Sequence, residues 1–187
     1  DALKVIISNL NDSDLVISTT GMASREIFEY REGDNKNHSN DFLTVGGMGH
    51  ANQIALGIAL YKPNSQVFCF DGDGAILMHM GALAINANVG CKNLKHIIFN
   101  NGAHDSVGGQ PTLAHKISIS AAAKSFGYHK ILIAENEDEI KNAIKDLKES
   151  KVTGLLEILI NKGFRGNLGR PSSSPIKNKQ DLMGFLK

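Results

Sequence analysis

Two short segments of the sequence place oxygen-bearing side chains next to glycine at the ends of strand-like stretches. Asp73 lies in Asp71-Gly-Asp-Gly74, directly after the apolar stretch Gln66–Phe70. Asn101 closes an Asn-Asn pair that follows Lys95–Phe99, 28 residues after Asp73. Carboxylate and amide oxygens are ligands that Mg²⁺ prefers, commonly together with phosphate oxygens and water. Glycine lets a phosphate approach the backbone, and a cation between the two groups removes the repulsion between carboxylate and phosphate.

Other ligand-binding and catalytic motifs do not match these segments. A dinucleotide-binding fingerprint needs a third glycine where Leu77 and Asn52 stand, and the Gly-Lys pair of a P-loop does not occur. An EF-hand loop beginning at Asp71 would need a glutamate at Ala82. The run His104-Asp105-Ser106 has the residue types of a hydrolase triad, but consecutive side chains cannot converge as a triad does. The sequence therefore favours a divalent cation that carries a diphosphate.

Strand-like and helix-like patterns alternate along the chain, which predicts an α/β three-layer sandwich with a mostly parallel central sheet. Residues 31–41 are predicted as a surface loop, and 162–187 as a C-terminal extension. Helices are expected at Ala2–Leu10, Ala23–Tyr30, Ala51–Tyr61, Ala75–Asn88, Ile117–Phe126 and Asp138–Glu149, and strands at Leu15–Ser18, Phe42–Val45, Gln66–Phe70, Lys95–Phe99, Lys130–Ala134 and Leu155–Ile160.

Four turns rich in glycine or polar residues follow predicted strands: Thr20-Gly21, Gly46–Gly49, Asp71–Gly74 and Asn100–Ala103. Each turn alone is typical of ordinary turn chemistry. Ligands of parallel α/β sheets bind beyond the carboxyl ends of the strands, so the four turns are predicted to share one ligand-binding edge.

Composition excludes several classes of partner. The formal net charge is +1 and 42% of the 187 residues are hydrophobic, so neither a nucleic-acid groove nor a basic membrane surface is expected. No apolar run approaches the roughly 20 residues of a membrane span. Cys69 and Cys91 are expected to be small buried hydrophobes of a reducing compartment, which predicts a cytoplasmic protein.

The pair formed by Gly72-Asp73-Gly74 and Asn100-Asn101 resembles the signature of thiamine-diphosphate-dependent enzymes, and the resemblance extends from about residue 15 to 160. It implies thiamine diphosphate and Mg²⁺ as cofactors. The implied metal ligands are the side chains of Asp73 and Asn101 and the carbonyl of Ala103. The remaining implied cofactor contacts are Gly72, Gly74 and Ala75 at the diphosphate, and Gly46, Gly47, Met48, Thr20 and Gly21 towards the aminopyrimidine, with Met48 as the wedge that bends the cofactor.

Longer segments are similar to the phosphonopyruvate decarboxylases, namely residues 18–26, 47–51, 71–81, 100–112 and 169–179. This similarity implies conversion of 3-phosphonopyruvate to phosphonoacetaldehyde and CO₂, with the cofactor as electron sink. Sulfopyruvate decarboxylases would share much of the same pattern, because the two small anionic 2-oxo acids differ only in the remote anion. The choice between the two substrates stays open at this point.

The resemblance also implies a second protein part. Residues 1–187 are expected to form a single diphosphate-binding domain, because one α/β unit uses the whole length of a chain that begins at Asp1. The glutamate that activates the aminopyrimidine is then expected from a pyrimidine-binding domain absent from this chain, in a missing half or a separate subunit of an oligomer. A non-catalytic cofactor-binding or assembly module is the alternative of another class.

Several further polar side chains have two interpretations each. His104 and His50 are candidates for contact with the substrate or a moving proton, but each is nearly as typical of a polar loop or a helix start. His79 lies in an apolar segment and is expected in the core or an interface. Arg25 could bind an anionic group, or form a surface ion pair with Glu29.

Overall fold

Six parallel strands form the central sheet of the protein, in the order β2-β1-β3-β4-β8-β7. The structure, a computed structural model, describes residues 2–33 and 38–187. A two-stranded antiparallel ladder of β5 and β6 lies outside the sheet. The strands are β1 (Leu15–Ser18), β2 (Asp41–Leu43), β3 (Val67–Gly72), β4 (Leu94–Asn100), β5 (Ala103–His104), β6 (Gln110–Pro111), β7 (Lys130–Ala134) and β8 (Gly154–Leu159).

Helices cover both faces of the sheet, which confirms the predicted three-layer architecture. Alternate strand residues face opposite sides: Val16 and Phe68 pack with α1, α2 and α7, whereas Ile17 and Cys69 pack with α3 and α8. No helix in the described part of the chain is long and apolar enough to cross a membrane. The helices are α1 (Ala2–Ser8), α2 (Met22–Gly33), α3 (Ala51–Tyr61), α4 (Asp73–Met78), α5 (Gly81–Val89), α6 (Ile119–Ser125), α7 (Glu137–Glu149) and α8 (Pro175–Phe185).

The segment predicted as a surface loop at 31–41 has buried ends instead. Helix α2 continues to Gly33 and β2 begins at Asp41, while residues 34–37 lie outside the described ranges. Arg31 and Asp41 are both buried and form a two-pronged ion pair, with nitrogen–oxygen distances of 3.1 and 3.2 Å. Burial raises the pKa of Asp41, and the Arg31 charge opposes that rise. The prediction was wrong here because a charged residue can be buried when its partner satisfies it.

The single helix predicted over Ala75–Asn88 is two helices. The backbone leaves helical geometry at His79, where φ is −136° and ψ is 45°. Helix α4 begins earlier than predicted, at Asp73, and α5 begins at Gly81. Alanine, methionine and leucine favour helix in isolation, but tertiary position overrides such propensity. The break moves His79 off a continuous helix face.

The C-terminal extension contains a helix that the sequence did not reveal. Ser174 caps α8 by accepting a hydrogen bond from the Lys177 amide at 3.2 Å, and Pro175 occupies the first turn. From α8, the Asn178 side chain accepts from the Leu43 amide at 2.9 Å and donates to the Asp41 carbonyl at 2.8 Å. The Asn178 amide therefore takes the hydrogen bonds that a further strand would make to the edge strand β2.

Both cysteines are free thiols. Cys69 is fully buried in β3, and burial raises the pKa of its thiol. Cys91 is only partly buried. The expectation of a small buried hydrophobe is thus confirmed for Cys69 and confirmed in part for Cys91, which packs partly buried against the same hydrophobic cluster.

Candidate metal and cofactor site

The four polar turns leave the sheet at the same edge. Strands β2, β1, β3 and β4 are adjacent and parallel, with Ser18 paired to both Leu43 and Phe70 and with Gly72 paired to Phe99. The residues that follow these strands therefore emerge side by side. This arrangement confirms the prediction that the turns share one edge.

Asp73 begins α4 directly after the extended residue Gly72. Its side chain is buried, and the Thr112 hydroxyl donates a hydrogen bond to its Oδ2 atom. Thr112 is itself fixed, because its backbone N–H donates to the Gly102 carbonyl at 2.9 Å and its hydroxyl accepts from the Ala114 amide at 3.2 Å. The carboxylate is thus oriented by a residue 39 positions later in the chain.

Asn101 directly follows β4, and hydrogen bonds hold both ends of its side-chain amide. Its Oδ1 atom accepts from the Ala103 N–H at 3.0 Å, and its Nδ2 donates to Asp105 at 2.7 Å. Ala103 is buried and belongs to the β5–β6 ladder, which folds residues 103–111 back on themselves. This return places Thr112 against Asp73, so the loop after β4 meets the turn after β3.

Gly74 lies where three turns converge. A Cβ atom at Gly74 would lie 2.6 Å from Nδ1 of His104, which is shorter than any real contact, and 3.2 Å from Cε of Met48. Side chains of the turn after β2 and of the loop after β4 therefore pack directly over Gly74. A side chain at position 74 would collide with the His104 ring, so this close packing requires glycine.

The turn after β2 is exposed and is attached to the neighbouring turn after β1. The Gly46 N–H donates to the Thr20 hydroxyl at 3.1 Å. Gly46 and Gly47 have positive φ angles of 75° and 59°, which glycine adopts without steric cost. On the other side of this region, Gly21 lies against Ser106, whose Oγ would be 3.1 Å from a Cβ at Gly21.

His50 and His79 form a ring pair beside this turn, with centroids 4.4 Å apart. A Cβ at Gly49 would collide with the His79 ring and would lie 2.8 Å from the Ala75 carbonyl oxygen. Both residues are exposed, so His79 is not in the core, and the expectation that it lies in an interface stays a prediction. His79 stands at the break between α4 and α5, where its ring meets the ring of His50.

Arg25 does not form the ion pair with Glu29 that was one of its two interpretations, and its binding of an anionic group stays a prediction. Arg165 binds that carboxylate instead, with a nitrogen–oxygen distance of 2.8 Å, and it also binds Glu26 at 2.9 Å. The Arg165 hydrogen bond lowers the pKa of Glu29. The segment after β8 is therefore fastened to α2.

Buried polar residues beneath the turns were not singled out from the sequence. Asp71 is fully buried; it lies 3.3 Å from Nε2 of His96 and accepts from Nδ2 of Asn52 at 3.4 Å. The same Asn52 atom lies 3.5 Å from the Gly49 carbonyl. This network connects the turn after β2 with the turn after β3. A polar residue inside an apolar strand was the available clue, because buried polar groups require partners.

The sequence around these turns matches a known protein family. Residues 19–158 match the family described as "Thiamine pyrophosphate enzyme, C-terminal TPP binding domain". The chain belongs to this family. Thiamine pyrophosphate is another name for thiamine diphosphate, so the match confirms the resemblance drawn from Gly72-Asp73-Gly74 and Asn100-Asn101.

The chain matches relatives of different length and covers a different share of each. It is 34% identical to phosphonopyruvate decarboxylase of Streptomyces viridochromogenes over 99% of this chain but 45% of that protein. It is 33% identical to sulfopyruvate decarboxylase subunit beta of Methanocaldococcus jannaschii over 79% of this chain and 78% of that subunit. The chain therefore spans less than half of the first relative and most of the second.

Solved structures support the fold. Benzoylformate decarboxylase from Polynucleobacter necessarius superposes with a TM-score of 0.69 at 21% identity, covering 88% of this chain and 33% of that one. At this level of identity the likeness concerns the fold alone.

Proposed function

We propose that the chain is the diphosphate- and Mg²⁺-binding half of a thiamine-diphosphate-dependent decarboxylase that converts 3-phosphonopyruvate to phosphonoacetaldehyde and CO₂. One observation carries the proposal: the Thr112 hydroxyl orients the Asp73 carboxylate, so the turn after β3 meets the loop after β4 that contains Asn101. A carboxylate and an amide oxygen at the same edge of the sheet suit a cation that bridges protein and diphosphate.

In this proposal the metal ligands are Asp73, Asn101 and the Ala103 carbonyl. These are hard oxygen atoms of one carboxylate, one amide and one peptide group, a donor set typical of Mg²⁺ shared with phosphates. The amides around Gly72, Gly74 and Ala75 receive the diphosphate. Glycine at position 74 supports this role, since a residue without a side chain lets a phosphate approach the backbone.

The aminopyrimidine end of the cofactor is assigned to the two neighbouring turns. Met48 reaches towards Gly74, which suits a side chain that wedges between the two ends of a bent cofactor. The hydrogen bond from Gly46 to Thr20 joins the contributing turns. The proposed contacts are Thr20, Gly21, Gly46, Gly47 and Met48.

The chain's own residues bind and orient, whereas activation comes from elsewhere. Bound thiamine diphosphate supplies an electron sink for decarboxylation. We assign the activating glutamate to a pyrimidine-binding domain or subunit, so that the complete site forms in an oligomer. His104, next to Gly74, and His50, beside Gly47, are the proposed contacts for the 2-oxo acid or a proton. The two free thiols support a reducing location such as the cytoplasm.

Two alternatives have their own support. The coverage of the sulfopyruvate decarboxylase subunit beta favours a separate-subunit enzyme with sulfopyruvate as substrate. Turnover of both acids by the enzyme reconstituted with its pyrimidine-binding part decides between them. A non-catalytic binding module is the second alternative, and absence of turnover of either acid by the reconstituted enzyme would favour it.

Calorimetric titration of thiamine diphosphate into the chain with Mg²⁺ tests the site itself. The unaltered chain is expected to bind the cofactor only when Mg²⁺ is present. Asp73→Ala is expected to abolish this Mg²⁺-dependent binding. Equal binding by the two chains would refute the metal assignment. Decarboxylation by this chain alone would refute the need for a second part.

A further inference from the structure

The carboxylate of Asp105 joins two segments that are far apart in the sequence. Its Oδ2 atom accepts from Nδ2 of Asn101 at 2.7 Å and from the backbone N–H of Gly163 at 2.7 Å. Asp105 is partly buried and begins the 3₁₀ turn Asp105–Val107 inside the loop between β5 and β6. Two short bonds to one oxygen fix the position of both donors.

The bond to Asn101 has a chemical consequence. The oxygen and nitrogen of an asparagine amide are nearly equal in size, so a half-turn of the side chain exchanges an acceptor for donors. A cation requires the oxygen. An ionised carboxylate only accepts hydrogen bonds, so Asp105 selects the orientation in which Nδ2 faces it. The Ala103 N–H, which donates to Oδ1 at 3.0 Å, selects the same orientation from the other side.

We propose that Asp105 is a positioning residue, which holds the Asn101 amide so that Oδ1 is presented to the metal ion. The inference rests on the proposed function, because it deepens the role of Asn101 in that site. The bond to Gly163 also links the segment after β8 to Asn101, because both donate to the same Asp105 oxygen. That segment is anchored in turn by Arg165 on Glu26 and Glu29.

This role also accounts for the run His104-Asp105-Ser106. The Asp105 carboxylate is bonded to Asn101 and Gly163, while His104 points to Gly74 and Ser106 lies against Gly21. The three side chains diverge, so a hydrolase triad is excluded by geometry. A merely structural loop contact is the competing explanation, and it predicts an effect on stability without an effect on metal binding.

Titration of Mn²⁺ into the chain with thiamine diphosphate, followed by electron paramagnetic resonance, separates the two explanations. Asp105→Asn keeps the size of the side chain but can face Asn101 with donors, so it is expected to weaken Mn²⁺ binding about 10- to 100-fold. Asp105→Glu restores a carboxylate and is expected to recover part of the affinity. Asp138→Asn removes an equal charge from the exposed start of α7 and is expected to change the affinity less than about 2-fold.

A double-mutant cycle tests whether Asp105 acts through Asn101. In a chain that already carries Asn101→Ala, Asp105→Asn is expected to change Mn²⁺ affinity less than about 2-fold. An equal loss in both backgrounds would mean that the charge of Asp105 acts directly on the cation, which overturns the proposal. So would an unchanged affinity of the Asp105→Asn single variant.

Two further measurements keep the outcomes distinct. If Asp73→Ala weakens Mn²⁺ binding but Asp105→Asn does not, the positioning role fails and the proposed function stands. If neither variant weakens Mn²⁺ binding, the proposed function fails.

On the unaltered chain, the Asn101 side-chain N–H protons are expected to exchange with solvent more slowly than those of exposed Asn142. Equal exchange rates would overturn the proposal even if the variant does not fold.

Discussion

The two edges of the sheet use polar side chains in opposite ways. At the amino edge, the Lys95 ammonium donates to the carbonyls of Lys92 and Ser150, both at 2.8 Å. Nearby, Nδ2 of Asn93 lies within 3.0 Å of the carbonyls of Ala59, Lys62 and Ser65. The N–H donors of these two side chains are therefore engaged with backbone oxygens of the loops that they join.

At the carboxyl edge, hydrogen bonds orient side-chain oxygens without occupying all of their lone pairs. Asp73 accepts from Thr112, and Asn101 accepts from the Ala103 amide, yet each oxygen has further lone pairs. Hydrogen bonding alone therefore does not distinguish a side chain that joins two loops from one that could bind a cation. The distinction lies in the groups that remain available, and the oxygens at the carboxyl edge retain lone pairs, which a cation needs.

Asp73→Asn is expected to produce the largest change, at the carboxyl edge. Loss of this proposed charged ligand is expected to weaken Mg²⁺-dependent thiamine diphosphate binding by at least about 100-fold, since changes to residues that only contact a metal ligand already cost about 10- to 100-fold. Stability without cofactor is expected to stay equal or to rise, because a buried carboxylate is removed. Calorimetry and thermal unfolding measure the two effects, and a large loss of stability would contradict this division.

Lys95→Met is expected to show the opposite pattern at the amino edge. Carbonyls that lose their donor inside the protein cost free energy, so the free energy of unfolding is expected to fall by about 2 kcal/mol. Cofactor affinity of the folded chain is expected to be unchanged. Denaturant unfolding measures the effect, with Lys92→Met at an exposed lysine as the control. A matching loss of cofactor affinity would mean that the two edges are coupled.

Two threonines, one at each edge of the sheet, allow the same substitution to be compared at both edges. Thr112 orients Asp73, whereas the Thr153 hydroxyl donates to the Cys91 carbonyl at 2.9 Å at the amino edge. Thr112→Val is expected to weaken Mg²⁺-dependent cofactor binding about 10-fold. Thr153→Val is expected to cost about 1 kcal/mol of stability and to leave binding unchanged. Equal profiles for the two variants would remove the distinction between the edges.

The smallest effect concerns pH. Burial lowers the pKa of Lys95 to about 8 from its ordinary 10.5. Above about pH 8 the folded chain therefore loses this proton while the unfolded chain retains it, so stability is expected to rise with pH towards 10.5 relative to Lys95→Met. Between pH 8 and 9 the expected rise is about 1 kcal/mol. A flat difference between the two chains would show that the surrounding carbonyls hold the proton on Lys95.

The sequence was informative where the physics is local. Alternating strand and helix patterns predicted the layers, and turn residues after each strand predicted the edge at which Asp73 and Asn101 emerge. The break at His79 was missed because local propensity favours a continuous helix there. Thr112 and Asp105 were inside a recognised segment, but their partners depend on how the β5–β6 ladder folds back, and no spacing rule encodes that.

The amide of Asn178 has a consequence for the order in which the molecule assembles. It bonds to Leu43 and Asp41 across 135 and 137 positions of sequence. Contacts of such long separation form late, because the intervening chain must first be ordered. During synthesis, strand β2 and the Gly46–Gly49 turn leave the ribosome long before Asn178 does. The turn proposed to contact the aminopyrimidine is therefore expected to acquire its final position only after Asn178 has been made, which delays cofactor binding until that point of synthesis.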